Sequence, residues 1–215
     1  MHYTPPPDRG LTILWHDLVM LFVNKPAGLL SVPGRGADKN DCLWHRVQQH
    51  YPDALVVHRL DMSTSGVMVF ARNKFTQSAL SQQFARREIK KRYLAIVTGN
   101  VLSLRGRVLL PLSADWMNRP KQCIDWHSGK YALTRYICSN KKSVYKNSTI
   151  VWLMPYTGRS HQLRVHMAAL GHPILGDELY GRADSSSRLM LHATDLKLQH
   201  PITKEHLAIH CPAPF

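Results

Sequence analysis

Acid is scarce in this chain: 14 Asp and Glu stand against 28 Lys and Arg, a formal charge of +14 with histidine neutral over 215 residues. That imbalance points to a polyanion. A membrane surface or an acidic protein would also attract it. No basic amphipathic helix stands apart from the core pattern, however, so nucleic acid ranks first. Long hydrophobic runs are missing too. No window reaches the length of a membrane span, and Met1-His2-Tyr3-Thr4-Pro5-Pro6-Pro7 has no charged segment followed by an apolar stretch, so a cytoplasmic protein with no membrane partner is expected. Cysteine is sparse and scattered. Cys42, Cys123, Cys138 and Cys211 form no C-x-x-C pair, which fits reduced thiols and argues against structural zinc. Histidine is plentiful, yet no H-E-x-x-H or His/Cys cluster occurs and His161 and His166 are five apart rather than four, so no metal is expected. No G-x-S-x-G occurs either, which weakens a hydrolase reading. With 44% hydrophobic and 20% charged residues and no repeat or low-complexity tract, the chain should bury a core of its own.

What is present reads mostly as strand. A first strand at 19–23 follows about eighteen residues of N-terminal extension (1–18). Apolar or alternating runs recur at 54–57, 67–71, 93–97, 107–112, 130–138, 149–154, 189–198 and 207–210, punctuated by Pro111, Pro120, Pro155, Pro173 and Pro201. Three stretches read as helix. The first is 42–50, with Trp44 and Val47 inward. The second is capped by Asn73 or Thr76 and runs through Arg87, with Phe75, Ala79, Leu80 and Phe84 on one face. The third begins near 159 and is stopped by Gly171-His172-Pro173; Leu163, Met167 and Leu170 cluster on it, with Arg164 roughly 60° from Met167. Few connections could hold repeated helical crossovers, so the prediction is a single α+β domain over 19–215.

The most specific stretch is His58-Arg59-Leu60-Asp61-Met62-Ser63-Thr64-Ser65-Gly66. It sets one carboxylate between two apolar segments, at a turn whose hydroxyls and glycine suit tight backbone geometry and whose amides could support an anion. An Asp there can also do no more than cap the turn. In Thr157-Gly158-Arg159-Ser160-His161-Gln162-Leu163-Arg164-Val165-His166, Arg164 lies beside the apolar stripe, where a guanidinium needs a carboxylate. Arg159 suits a phosphate contact or a turn equally well. Arg86, Arg87, Lys90, Lys91 and Arg92 put five cations into seven positions. Two could merely complement a helix C-terminus, but with the overall charge a phosphate-facing rim is the better reading, joined by Lys141, Lys142, Arg119 and Lys121.

The nine residues around Asp61 resemble the H-R-L-D-x-x-T-S-G motif of the RluA-type pseudouridine synthases. Further likenesses are Asn24-Lys25-Pro26-Ala27-Gly28 to N-K-P-x-G, Lys91-Arg92-Tyr93-Leu94-Ala95 to K-x-Y-x-A, the Arg164 segment to G-R-x-H-Q-[IL]-R-x-H, and Arg188-Leu189-Met190-Leu191-His192-Ala193 to R-L-x-L-H-A. Asp115-Trp116-Met117-Asn118-Arg119-Pro120-Lys121-Gln122 resembles a loop of the subgroup that lacks an S4 RNA-binding domain. The likeness runs from about residue 19 to the end and departs at Cys123 and in 140–147.

The resemblance implies a central, mostly antiparallel, bent mixed sheet flanked by helices and loops, with the active cleft across its middle and no S4 domain. It implies that Asp61 is catalytic, that Arg164 is its ion-pair partner, that Tyr93 lies against the uracil and that Leu189 and Leu191 wall the base pocket. Arg59 is the candidate for filling the gap left by a flipped nucleotide. The leucines and Tyr93 could equally be ordinary core, and Arg164 could pair with another acid. The implied reaction breaks the C1′–N1 bond of uridine, turns the uracil, joins C5 to C1′ and releases the C5 proton. It needs no cofactor, and Asp61 could attack C1′ or remove the C2′ proton. The expected partners are stem-loops of 23S ribosomal RNA, transfer RNA or both, met by a monomer. The alternative is an RNA-binding protein of the same fold without catalytic activity.

Overall fold

The computed structural model describes residues 3–181 and 186–215. In chain order its elements are β1 (Ile13–His16), β2 (Met20–Lys25), α1 (Leu43–Gln48), β3 (Leu55–Val56), β4 (Ser65–Ala71), α2 (Lys74–Ala85), β5 (Lys90–Thr98), β6 (Arg105–Leu109), β7 (Leu112–Ala114), β8 (Gln122–Ile124), β9 (Leu133–Cys138), β10 (Ser148–Pro155), α3 (Gln162–Ala169), β11 (Leu191–Gln199) and β12 (His206–His210). The architecture is α+β. The chain gathers into two units, one holding residues up to Lys90 with Ala193–Pro214, the other Lys91–His192 with Phe215.

In the first unit the strand order is β1-β2-β4-β11, with β3 on β4 and β12 on β11. β2 and β4 run antiparallel from Met20 opposite Ala71 to Lys25 opposite Gly66. Their apolar runs do not alternate, because both faces are covered: Met20 to Val23 and Val67 to Ala71 are all shut off from solvent. α2 opens on Asn73, whose Oδ1 accepts from the Thr76 amide (2.8 Å). It buries Thr76 and Leu80, one turn apart on one face, which leaves Phe75 about 100° off that face and 64% exposed, contrary to its expected inward position. In α1, Val47 is buried as expected, while Trp44 is half-buried and donates its Nε1–H to the Ala54 carbonyl (2.9 Å). A strand, β1, lies within the segment read as extension, ahead of the one expected first.

The second unit carries the order β5-β10-β9-β6, antiparallel throughout, and a separate β7–β8 hairpin. Its core gathers Ala95, Ile96 and Val97 of β5, Val151 and Leu153 of β10, Leu163 and Met167 of α3, and Leu189 and Leu191. α3 starts at Gln162 rather than near 159, because His161 takes a left-handed φ of 52°. It ends at Ala169, so Leu170 falls past the helix and is exposed instead of joining Leu163 and Met167.

A buried polar chain holds α3 to the sheet. Gln162 Oε1 accepts from the Thr157 hydroxyl (2.7 Å) and the Arg159 amide (3.0 Å), and its Nε2 donates to the Leu133 carbonyl and to Thr134 Oγ1 (both 3.0 Å). The Thr134 hydroxyl then donates to His166 Nδ1 (3.0 Å), whose Nε2–H reaches the Leu110 carbonyl (3.1 Å). Each lone pair and proton in this chain has a complement only if His166 is neutral, and burial pushes its pKa down accordingly.

Candidate active site

Asp61 lies in the turn between β3 and β4. Its carbonyl accepts from the Thr64 amide (3.1 Å), and its side chain is half-buried. The backbone on either side is fastened from within the first unit. Before it, the Leu60 amide donates to Ser31 Oγ (3.1 Å) and the Ser31 hydroxyl donates to the Leu60 carbonyl (2.6 Å). After it, the Met62 carbonyl accepts from the Gly28 amide and from Lys25 Nζ (both 2.9 Å). Lys25 is fully buried, and its ammonium also donates to the carbonyls of Pro26 (2.9 Å) and Leu29 (2.6 Å). Three carbonyl dipoles thus replace the water that burial removed from this charge.

Gly66 is required where it stands: its φ is +117°, and a Cβ there would overlap the Ala193 carbonyl of β11. His58 has a structural duty, since its Nε2 accepts from the Val69 amide (3.1 Å) and its ring stacks on Phe84 at 4.7 Å. Arg59 beside it is exposed.

Lys25→Met should lower stability by about 1–3 kcal/mol, the cost of leaving buried carbonyls without donors, and should slow single turnover because Met62 is bonded directly to Asp61. Denaturant melts and quenched-flow turnover read both, and a wild-type rate would reduce Lys25 to packing.

Arg164 belongs to the second unit, with a side chain only 5% exposed. It makes a two-pronged pair with the fully buried Asp177, Nε to Oδ2 at 2.8 Å and Nη2 to Oδ1 at 2.7 Å. Asp177 Oδ1 also accepts from the amides of Leu179 (3.0 Å) and Tyr180 (3.1 Å). The Tyr180 ring lies 5.2 Å from the guanidinium carbon, and its oxygen meets His161 Nδ1 and the Gln122 amide (both 2.7 Å). A pair with an acid other than Asp61 therefore exists. It occupies the Nε–Nη2 edge of the guanidinium, so a second carboxylate would have to take the other edge. Tyr93 is half-buried against the core cluster that contains Leu189 and Leu191, themselves 3% and 2% exposed. The core role of the two leucines is real, and Tyr93 is brought to the same cluster.

The basic residues do not all behave alike. Arg86 and Lys90 are exposed in the first unit, and Arg87 is half-buried with φ +61°. In the second unit Arg119, Lys141 and Lys142 are exposed and Lys121 is half-buried, while Arg92 lies over Trp152 (4.5 Å) and Arg159 Nε donates to the Tyr131 carbonyl (3.1 Å). Lys91 departs from the expected rim: its ammonium donates to the Thr157 carbonyl (3.2 Å), and burial pushes its pKa down to about 8. If Arg86 and Lys90 meet phosphates, replacing both by Gln should flatten the plot of log affinity against log salt by about 1.4, two contacts at about 0.7 each for single strands. Lys91→Gln should leave that slope alone. Filter binding across a salt series reads both, and an unchanged slope for the double variant would make Arg86 and Lys90 a merely solvated face.

Lys25, Ser31, Gln162, Asp177 and Tyr180 carry work that sequence reading did not assign. For Asp177 there was a usable signal: a buried Arg164 demands an acid, and Asp177-Glu178 is the next acidic stretch after its helix. Among the described residues no group of three or more His, Cys, Asp or Glu is placed to hold a metal ion, and no helix is long and apolar enough to cross a membrane. Burial raises the thiol pKa of Cys42, Cys138 and Cys211, the last to about 11, which makes them poor nucleophiles at neutral pH.

Residues 19–169, which hold the Asp61 turn, the Lys25 clasp, Tyr93 and Arg164, match the family model of RNA pseudouridylate synthase. The chain belongs to that family, and it is an isomerase that makes pseudouridine in RNA. Among individual relatives it is 48% identical to the dual-specificity RNA pseudouridine synthase RluA of Vibrio parahaemolyticus, covering 100% of this chain and 88% of the relative. To the protein of the same name from Escherichia coli K12 it is 47% identical, over 100% and 98%. The solved structure of human RNA pseudouridylate synthase domain containing 1 superposes with a TM-score of 0.81 at 32% identity, over 99% of this chain and 87% of that one.

Proposed function

We propose that this enzyme isomerises particular uridines in stem-loops of 23S ribosomal RNA, of transfer RNA anticodon arms, or of both, acting as a monomer in the cytoplasm through one catalytic domain over 19–215. The dual specificity in the names of its relatives supports two RNA classes. The observation that carries the chemistry is the Asp61 turn: one half-exposed carboxylate on a backbone pinned before and after it by buried donors.

In this reading Asp61, ionised, attacks C1′ or takes the C2′ proton, and the positive charge of Arg164 favours the ionised form of that carboxylate. Support for the pair comes from the two motifs and from the chemistry of a buried guanidinium. Tyr93 holds the uracil while it turns, and Leu189 and Leu191 supply the apolar wall behind it. Arg59, exposed and two residues from Asp61, fills the stack when the uridine leaves it.

The test is a map of pseudouridines by carbodiimide primer extension in cells lacking the protein. Stops should vanish at sites in large-subunit ribosomal RNA, in transfer RNA anticodon arms or in both, and return with the wild-type gene but not with Asp61→Asn. A map unchanged by the deletion would overturn the assignment.

A further inference from the structure

The loop between β7 and β8 displays an aromatic ring to solvent, an arrangement that folding alone does not call for. Trp116 is 72% exposed, and the Arg119 guanidinium lies over its ring with 3.5 Å between guanidinium carbon and ring centroid. The loop is not slack. Asp115 accepts from the Asn118 amide (3.1 Å) and side chain (3.0 Å), the Asp115 amide donates to the Lys121 carbonyl (3.0 Å), and the Lys121 amide returns to the Asn118 carbonyl (2.9 Å). At its base the Gln122 amide is tied to Tyr180, whose ring faces Arg164.

An indole as exposed as this would ordinarily be a liability. Here one face is taken by a planar cation, so the ring is held in a fixed plane with its other face free to receive a flat partner. The ligands that answer this chemistry are nucleobases: they stack on aromatic and guanidinium planes regardless of sequence, and the phosphates that flank them suit Arg119 and Lys121.

We propose that Trp116, backed by Arg119, is a stacking platform for an unpaired nucleotide of the substrate RNA other than the uridine being isomerised. The proposal rests on the RNA reading of the site and adds a second grip to it. Because Tyr180 joins this loop to Arg164, a nucleotide docked on Trp116 is registered against the residue that serves the chemistry. Trp116 is thereby a specificity-determining residue, selecting RNAs with a splayed base at one fixed distance from the target.

A hairpin that the wild-type enzyme converts is synthesised with 2-aminopurine at each unpaired position in turn, and its fluorescence and affinity are measured with wild type, Trp116→Leu and Trp116→Tyr. One position apart from the target uridine should be quenched by wild type and by the Tyr variant but not by the Leu variant. Affinity should drop about tenfold for Leu, equally at low and high salt, since stacking releases no counterions. Thermal melts confirm that each variant is folded. Wild-type affinity for Trp116→Leu, or a loss that disappears at high salt, would overturn the platform while leaving the isomerase reading intact. No conversion of any hairpin by wild type would overturn that reading instead.

Discussion

Asp61→Asn should abolish pseudouridine formation, by at least about a hundredfold in single turnover, while RNA affinity and melting temperature stay close to wild type. The shape of the side chain survives, and the turn holding it depends on Ser31, Lys25 and Gly28 meeting backbone atoms of Leu60 and Met62, none of which the substitution touches. What disappears is the charge that either route needs, whether the carboxylate attacks C1′ or removes the C2′ proton. Residual turnover above about one per cent of wild type, with deamidation excluded by mass spectrometry, would remove Asp61 from the centre of the mechanism. Asp61→Ala is a poorer probe, because it also changes the packing around the turn.

Asp177→Ala should produce the largest loss of stability. It takes the counter-ion from a guanidinium whose side chain is 5% exposed and leaves the amides of Leu179 and Tyr180 without their acceptor. Breaking a buried pair by removing one partner costs roughly 3–5 kcal/mol, which for a chain of this size lowers Tm by about 6–20 °C. Asp177→Asn should cost less, since its carbonyl oxygen can still accept from the two amides. Turnover should fall in both variants even below the melting transition, because Arg164 and the Tyr180 contact beneath the Trp116 loop lose their common anchor. Calorimetry and single-turnover rates decide it: a destabilisation under about 1 kcal/mol would show that the pair contributes little beyond what its replacement supplies.

The apolar strands β2, β4, β5 and β10 were legible because runs such as Val67-Met68-Val69-Phe70-Ala71 leave no amphipathic alternative. The strand β8 and the hairpin it forms with β7 were not, because three residues carry too short a pattern to separate from a loop. Helix boundaries shifted for local reasons: His161 adopts a left-handed backbone that residue type does not announce, and Phe75 is turned outward because Thr76 and Leu80 already fill the face that packs on β4.

Asp61 stood out as the candidate site residue because its motif is long and places one acid at a chain reversal between apolar runs. The partner of Arg164 was a different matter. Asp177 lies thirteen positions further on, and although it opens the next acidic stretch, composition and spacing do not choose between that acid and another. Lys91 makes the same point for charge, since in sequence it is one of five clustered cations, while in the fold its ammonium turns inward to the Thr157 carbonyl.

By itself, then, the sequence determined the α+β class, the excess of positive charge suited to RNA, and Asp61 as the candidate carboxylate, because each of these follows from residue type, period or an unbroken local motif. Tertiary structure alone decided how that carboxylate is held, which acid meets the Nε–Nη2 edge of Arg164, which cations remain outside and which ring is left exposed. Those are contacts between segments far apart in the chain. Their energies depend on burial and on the direction of lone pairs and protons, quantities that exist only once the chain has folded.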